Sequence, residues 1–238
     1  MKILADMHTH TLASGHAYST INELAQAAAQ AGLQGLAITD HGPSLPGGPH
    51  RYHFNALRFV PQRIGGVRIL RGVEANIMDH QGTLDLDQPL LEELDFVMAG
   101  FHEDCGICGQ DIDRNTRTLL AVMENPRVKC ISHPGNPVFP LRYEEIVMGA
   151  LATSTALEIN NSSLMSVSRK GSVGNCSEIA RLCAQLGAPI MVGSDAHIAQ
   201  GVGIFGDALK LIADAGVAEG QIINASWQRL LDFLQIEE

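Results

Sequence analysis

Histidines and isolated carboxylates carry the chemistry available to this chain, and their spacing narrows it. Two pairs stand two residues apart, His8 with His10 and Asp195 with His197. On an extended strand such residues point to one side, so each pair can grip an ion together. His41, His102, His133 and the lone Glu74 each close or follow a short apolar run, and His16 lies in the loop after the first pair. Seven imidazoles with two carboxylates suit borderline ions such as zinc, iron or manganese far better than calcium or magnesium. One catalytic ion with an open position needs about three protein groups, so this set implies a multinuclear centre.

These side chains can act together only if the fold gathers them. Apolar runs recur at 3–7, 36–39, 69–73, 96–101, 128–132, 156–159 and 190–193, each with the pattern of a buried strand. The first leads into His8-Thr9-His10, the second into Asp40-His41, the third into Glu74, the fourth into His102, the fifth into His133 and the seventh into Asp195-Ala196-His197. The sixth closes on Asn160 without a charged group at its end. Segments of helical period separate most of the runs, which gives an alternating β/α pattern of parallel strands. In such folds the carboxyl ends of all strands share one face, so residues far apart in sequence converge.

The clearest helix follows Thr20, where Thr20-Ile21-Asn22-Glu23 has capping-box spacing and Gly32 suits a left-handed stop. A second is expected from Asn175 to Gly187, with Asn175 as its cap. Others are expected near 112–124, 143–152, 206–215 and 226–235, while Pro61 interrupts 54–64. The glycine- and proline-rich loop 42–53 and the polar stretch 161–174 are long for compact connections and read as lid or substrate loops.

A length of 238 residues with 45% apolar content supports a full core, and no linker or composition change divides the chain, so one domain over 1–238 is expected. The net charge of -10 argues against docking along extended nucleic acid, which needs a basic face. A small anionic substrate would need a local positive centre, and bound metal supplies one. Five cysteines with no regular framework fit a reducing cytoplasm. The N-terminus meets Lys2 and Asp6 before any signal-type core, and no stretch is long and apolar enough to span a bilayer. Cys105 and Cys108 have C-x-x-C spacing, yet no second pair completes a zinc site.

The motifs Asp6-Met7-His8-Thr9-His10 with His16, Thr39-Asp40-His41, Gly72-Val73-Glu74 with His102, Ser132-His133-Pro134 and Gly193-Ser194-Asp195-Ala196-His197 together resemble the polymerase and histidinol phosphatase (PHP) family. Phe101-His102-Glu103, Ile131 to Pro137 and Glu158 to Ser163 are similar to its small YcdX-like phosphatase branch. The resemblance implies a distorted (β/α)7 TIM-like barrel with three divalent ions, zinc foremost and manganese or iron as alternatives. It implies His8, His10, Glu74 and Asp195 at the first ion, His16, His41 and His197 at the second, and Glu74, His102 and His133 at the third.

The expected activity is hydrolysis of a small phosphate monoester, with Glu74, Asp195 and His197 acting through a hydroxide held between two ions. A phosphodiesterase or nuclease, or a histidinol phosphatase, would use the same ions, and a metal-stabilised scaffold is the non-enzyme alternative. Asp6 and Asp40 precede ligand candidates and are expected to orient them. Arg169, Arg51 and Asn160 are the substrate-contact candidates, with His50, His53 and Lys170 in the same two loops. The sequence does not set the oligomeric state, and a homo-oligomer such as a trimer is compatible with it.

Overall fold

Eight strands form one sheet in the computed structural model, which describes residues 1–107, 109–165 and 169–238. They are β1 (Ala5–Asp6), β2 (Gly35–Ile38), β3 (Arg63–Ile64), β4 (Val67–Asn76), β5 (Phe96–Gly100), β6 (Val128–Ile131), β7 (Ala156–Asn160) and β8 (Ile190–Gly193). All but β3 run parallel, in the order β1-β2-β4-β5-β6-β7-β8. Strand β3 is an antiparallel addition to β4 through a hairpin at Gly65-Gly66, both at positive φ. The helices are α1 (Ile21–Gln30), α2 (Tyr52–Ala56), α3 (Gln88–Glu92), α4 (Ile112–Met123), α5 (Tyr143–Thr153), α6 (Asn161–Met165), α7 (Ser172–Leu186), α8 (Gly206–Asp214) and α9 (Trp227–Leu234).

The seven parallel strands nearly close into a barrel. Its seam lies between β1 and β8, where a parallel bridge joins Thr9 to Ala196. Below that bridge the buried Asn224 spans the gap, its amide donating to the carbonyls of Ala5 at 2.9 Å and Val192 at 2.7 Å and accepting from the Val192 N–H at 3.1 Å. One side chain thereby supplies ladder bonds that the two strands do not make directly.

Strand alternation divides the apolar residues into two layers. Ala37, Leu70, Phe96, Met98, Cys130 and Met191 point into the barrel, while Leu36, Ile38, Ile69, Val97 and Ala99 face the outer helices. Both faces are buried, which is why these strands read as continuous apolar runs. Helix α9 plugs the barrel's lower end with Leu230 and Leu234. Its Trp227 presses on Gly35, where a Cβ would lie 2.5 Å from the indole.

Helix α1 begins as its sequence requires: Thr20 accepts from the Glu23 N–H at 3.3 Å and Glu23 accepts from the Thr20 N–H at 2.7 Å. Helix α7 corrects the expected start at Asn175. It begins at Ser172 after Gly171 at φ 105°, and the Asn175 amide instead donates to the Gly135 carbonyl at 3.0 Å. Residues 54–64 divide among α2, a 3-10 turn at Leu57–Phe59 and β3. The stretch after β7 turns helical at once as α6, so part of the expected loop 161–174 is regular.

Candidate metal centre

The carboxyl ends of the strands bring the expected residues together. His8 and His10 follow β1, His41 follows β2, Glu74 sits in the upper half of β4, His102 follows β5, His133 follows β6, and Asp195 and His197 follow β8. A parallel bridge from His41 to Glu74 sets β2's end against β4. His16 enters from the loop, its Nε2 3.0 Å from that of His197. Among the described residues three ligand groups result, His10 with His41 and His197, His8 with His10 and Glu74, and His41 with Glu74 and His102. His10, His41 and Glu74 each belong to two of them, so the groups are contiguous and not separate sites.

For His8, His10 and His197 the surrounding hydrogen bonds fix which nitrogen the imidazole offers. His8 Nδ1 lies 2.7 Å from Glu158 Oε1, and an ionised carboxylate only accepts, so this nitrogen carries a proton and Nε2 faces the centre. Ser14 gives its proton to Asp40 at 2.7 Å and must accept from His10 Nδ1 at 3.1 Å, which again leaves Nε2 inward. His197 Nδ1 lies 3.0 Å from the Asp195 carbonyl, with the same result. His8 Nε2 and His10 Nε2 are then 3.0 Å apart, as are His16 Nε2 and His197 Nε2. With both Nδ1 atoms protonated, the Nε2 lone pairs of His8 and His10 at that distance repel unless a cation, either a proton or a metal ion, lies between them. Orientation of ligand imidazoles by carboxylate and carbonyl acceptors is the usual support of a metal site.

Glu74 occupies the middle. Its Oε1 lies 2.7 Å from His133 Nε2 and 3.1 Å from His102 Nε2, and its Oε2 lies 2.9 Å from His41 Nδ1 and 3.2 Å from His8 Nε2. None of these approaches has hydrogen-bond geometry. Both Glu74 oxygens, His41 Nδ1, His102 Nε2 and His133 Nε2 are buried without a hydrogen-bond partner. Buried polar atoms are almost always bonded, so a cluster of orphans converging on one space has the donor chemistry of a divalent-ion site. The residues present therefore fit the ions that their types suggested.

The electrostatics agree. Burial alone would raise the Glu74 carboxyl, but His8, His102, His41 and His133 outweigh it and hold the group well below its ordinary value. Asp195 is held down in the same way by His8 and Arg169 against its burial. Burial and the neighbouring His41 push His10 down to about 3, and burial with Arg169 pushes His133 down to about 4. Both imidazoles are thus neutral at pH 7, as metal ligation requires. His8 is shifted upward instead, because Glu158, Glu74 and Asp195 overcome its desolvation, and the same carboxylates would favour a metal ion in place of the proton at Nε2. His133 and Asp195 also sit at φ 33° and 56°, a left-handed region that costs a non-glycine residue on the order of 1 kcal/mol or more and gathers at functional sites.

The other expected residues divide into near and far. Asp6 accepts from the N–H groups of Ser194 at 3.1 Å and Gly203 at 2.9 Å, and Asp40 accepts from Thr11, Ser14 and His53, so both brace the loops beneath the ligands. Arg169 reaches the centre, with Nη1 2.8 Å from Asp195 Oδ2 and 3.0 Å from Ser163 Oγ. Asn160 is fully buried and donates to Glu158 and Asp195, each at 3.2 Å, which commits it to orienting carboxylates. Arg51 is exposed and paired with Asp87 at 3.0 Å, and neither it nor His50 or Lys170 contacts the histidine cluster through any described bond. His53 touches the support layer through Asp40 at 3.0 Å. Cys105 is buried, and burial with Asp85 and Asp104 nearby pushes its thiol up to about 11, the reverse of a reactive thiol. Cys108 lies outside the described residues.

Glu158 is the functional-layer residue that reading the strand ends alone passes over. It accepts from His8, from the His133 N–H at 2.7 Å and from Asn160, joining ligands of β1 and β6 to β7. Its signal was a charge inside the run Ala156-Leu157-Glu158-Ile159-Asn160, two residues before Asn160 and so on the same strand face. Gly193 makes room for it, since a Cβ there would collide with the Glu158 carboxylate and with His8.

A barrel of this kind with histidines and acids at the strand ends defines a class, and the family comparison agrees with it. The model of the PHP domain matches residues 6–134, and the chain belongs to the PHP domain family. Over 98% of its length it is 53% identical to a probable phosphatase of Syntrophotalea carbinolica, covering 97% of that protein. It is 46% identical to a probable phosphatase of a Thermoanaerobacter species over 99% of this chain and 96% of the other. Among solved structures it is similar to a histidinol phosphate phosphatase of Lactococcus lactis, complexed with zinc, L-histidinol and phosphate. That match has a TM-score of 0.61 at 18% identity, over 92% of this chain and 95% of that one. A putative histidinol phosphatase of Listeria monocytogenes matches with the same TM-score at 15% identity, over 85% and 99%. At these identities the two structures bear on the fold.

Proposed function

We propose that this chain is a metal-dependent hydrolase that releases phosphate from a small phosphate monoester, with three divalent ions held by His8, His10, His16, His41, Glu74, His102, His133, Asp195 and His197. The observation that carries the reading is Glu74, a fully buried carboxylate without a hydrogen bond, enclosed by four imidazole nitrogens within 3.2 Å. The relatives named as probable phosphatases and the zinc- and phosphate-bound neighbour support it. Zinc is the first choice of ion, since imidazole-rich sites suit it, with manganese or iron as substitutes.

Ions so held would supply Lewis-acid polarisation of a phosphoryl oxygen and a water acidic enough to attack at neutral pH. The protein's own part is to fix their geometry. Glu74 offers one oxygen to the His8 and His41 side and the other to the His102 and His133 side, and so couples the two halves. Asp195 has Oδ1 turned to His10 at 3.2 Å while Asn160 and Arg169 hold Oδ2, which keeps one oxygen directed at the centre. Arg169 brings the one guanidinium bonded to this cluster among the described residues, placed to meet a phosphoryl oxygen. No helix of the chain's described residues is long and apolar enough to cross a membrane.

The test is a panel of monoesters and diesters offered to zinc- and manganese-loaded protein. Phosphate release from monoesters with negligible diester cleavage supports the reading; diester cleavage without monoesterase activity overturns it.

A further inference from the structure

A second concavity adjoins the metal centre, and its walls differ in kind from the centre itself. It has a volume of about 440 Å³ and is bordered on one side by Asp195 and His197. The rest of its wall includes Met165, Ala196 and Ile204, with Asn161, Ser162 and Ser194. No lysine, arginine or further acid belongs to the wall among the described residues.

Two of the three uncharged polar side chains there, Asn161 and Ser194, are engaged inside the protein, and Ser162 is the third. Asn161 Oδ1 accepts from the Ala208 N–H at 3.0 Å and its amide donates to Met165 Sδ at 3.2 Å. Ser194 Oγ donates to the His8 carbonyl at 3.4 Å. Met165 is 63% and Ile204 47% exposed, so the surface offered to an incoming molecule is thioether and aliphatic. Apolar side chains held open beside a reactive centre mark a binding surface, and polar groups already bonded inside the protein add little recognition of hydroxyls.

We infer that this pocket receives the leaving group of the ester and selects an uncharged, predominantly apolar alcohol or phenol over a sugar, a polyol or an aminoalkyl alcohol. The inference rests on the phosphomonoesterase reading above and deepens it. A polyol would lose the hydration of several hydroxyls and meet in return the single Ser162 hydroxyl, and a cationic leaving group would meet only Asp195, already engaged by His10 and Arg169. An alkyl chain would cover Met165 and Ile204, gaining up to about fourfold in kcat/KM per buried methylene.

The experiment is a ladder of methyl, propyl, butyl and hexyl phosphates, whose leaving groups have similar intrinsic reactivity, with glycerol phosphate and histidinol phosphate alongside. Binding of the matching non-hydrolysable alkylphosphonates to metal-loaded protein is measured by calorimetry. Rising kcat/KM and tightening phosphonate binding with chain length, both flattened by Ile204→Asn and not by Met148→Asn, an exposed residue of α5 outside the pocket wall, are expected. Metal content should be equal in both variants. A flat ladder with turnover intact, or a preference for glycerol or histidinol phosphate, overturns the inference and leaves the phosphatase reading standing. Absence of any monoester turnover defeats that reading, and the phosphonate series still decides the pocket: constant affinity along the series overturns it.

Discussion

Replacing Glu158 by glutamine removes one charge and keeps the side chain's shape, and the structure sets what that should cost. Glu158 accepts three N–H groups, from His8 Nδ1 at 2.7 Å, the His133 backbone at 2.7 Å and Asn160 at 3.2 Å. An amide has one acceptor oxygen and a donating NH2, so at least one of those N–H groups would face another donor. Losing one charge-assisted bond in a buried site costs about 1.5 to 3 kcal/mol. At about 1.4 kcal/mol per tenfold, that is roughly a tenfold to hundredfold loss of metal affinity, the range typical for groups that orient ligand histidines. Competition against a chelator of known affinity, followed by elemental analysis, measures it, with circular dichroism to check that the barrel persists. Glu158→Gln protein that is folded and binds metal as tightly as the parent would refute the claim that this carboxylate orients His8 for ligation.

Three further outcomes follow from the same geometry. Glu74→Gln should remove activity and lose more metal than His16→Ala, because Glu74 faces four imidazoles whereas His16 pairs in the loop with His197, and elemental analysis of both variants checks it. Arg169→Ala should lower kcat/KM roughly tenfold to a hundredfold with metal content retained, since Asn160 still holds Asp195, and unchanged kinetics would limit Arg169 to bracing Asp195 and remove it from substrate contact. The Thr20 bonds hold the Glu23 carboxyl below its ordinary value, so its stabilising effect is full above the unfolded pKa and is lost as pH falls through the folded one. Glu23→Ala should therefore lower Tm at pH 7, with the gap closing in acid, and a gap independent of pH would contradict the capping role.

Much of the site was legible because its chemistry repeats at one structural position. Once parallel strands are recognised from Leu36 to Thr39 or Ile190 to Gly193, the side chain that reaches the pocket lies just past each run, and His41 and Asp195, each two residues beyond, are within the stretch to search. The supporting layer was harder. Glu158 lies within its strand and not at the end, and a single charge inside an apolar run gives no hint that its partners are His8 and His133, which only closure of the barrel brings near. Asn224 is hidden for the same reason, since nothing local says that its amide will bridge Ala5 and Val192. Arg51 and Arg169 have the same residue type and loop setting, and tertiary pairing separates them, Arg51 with Asp87 and Arg169 with Asp195. The start of α7 was misread because Asn175 looks like a cap, whereas Gly171 at positive φ starts the helix three residues earlier and frees Asn175 to bond Gly135.

The central claim is a multinuclear centre, and its most direct test is the number of transition-metal equivalents in fully active protein, determined by elemental analysis against an accurate protein concentration. Ligation by nine side chains sharing Glu74 predicts about three equivalents per chain, with activity lost as chelation removes them and regained on adding zinc or manganese. A preparation at full activity with a single equivalent would contradict the account and leave most of the converging histidines without a role.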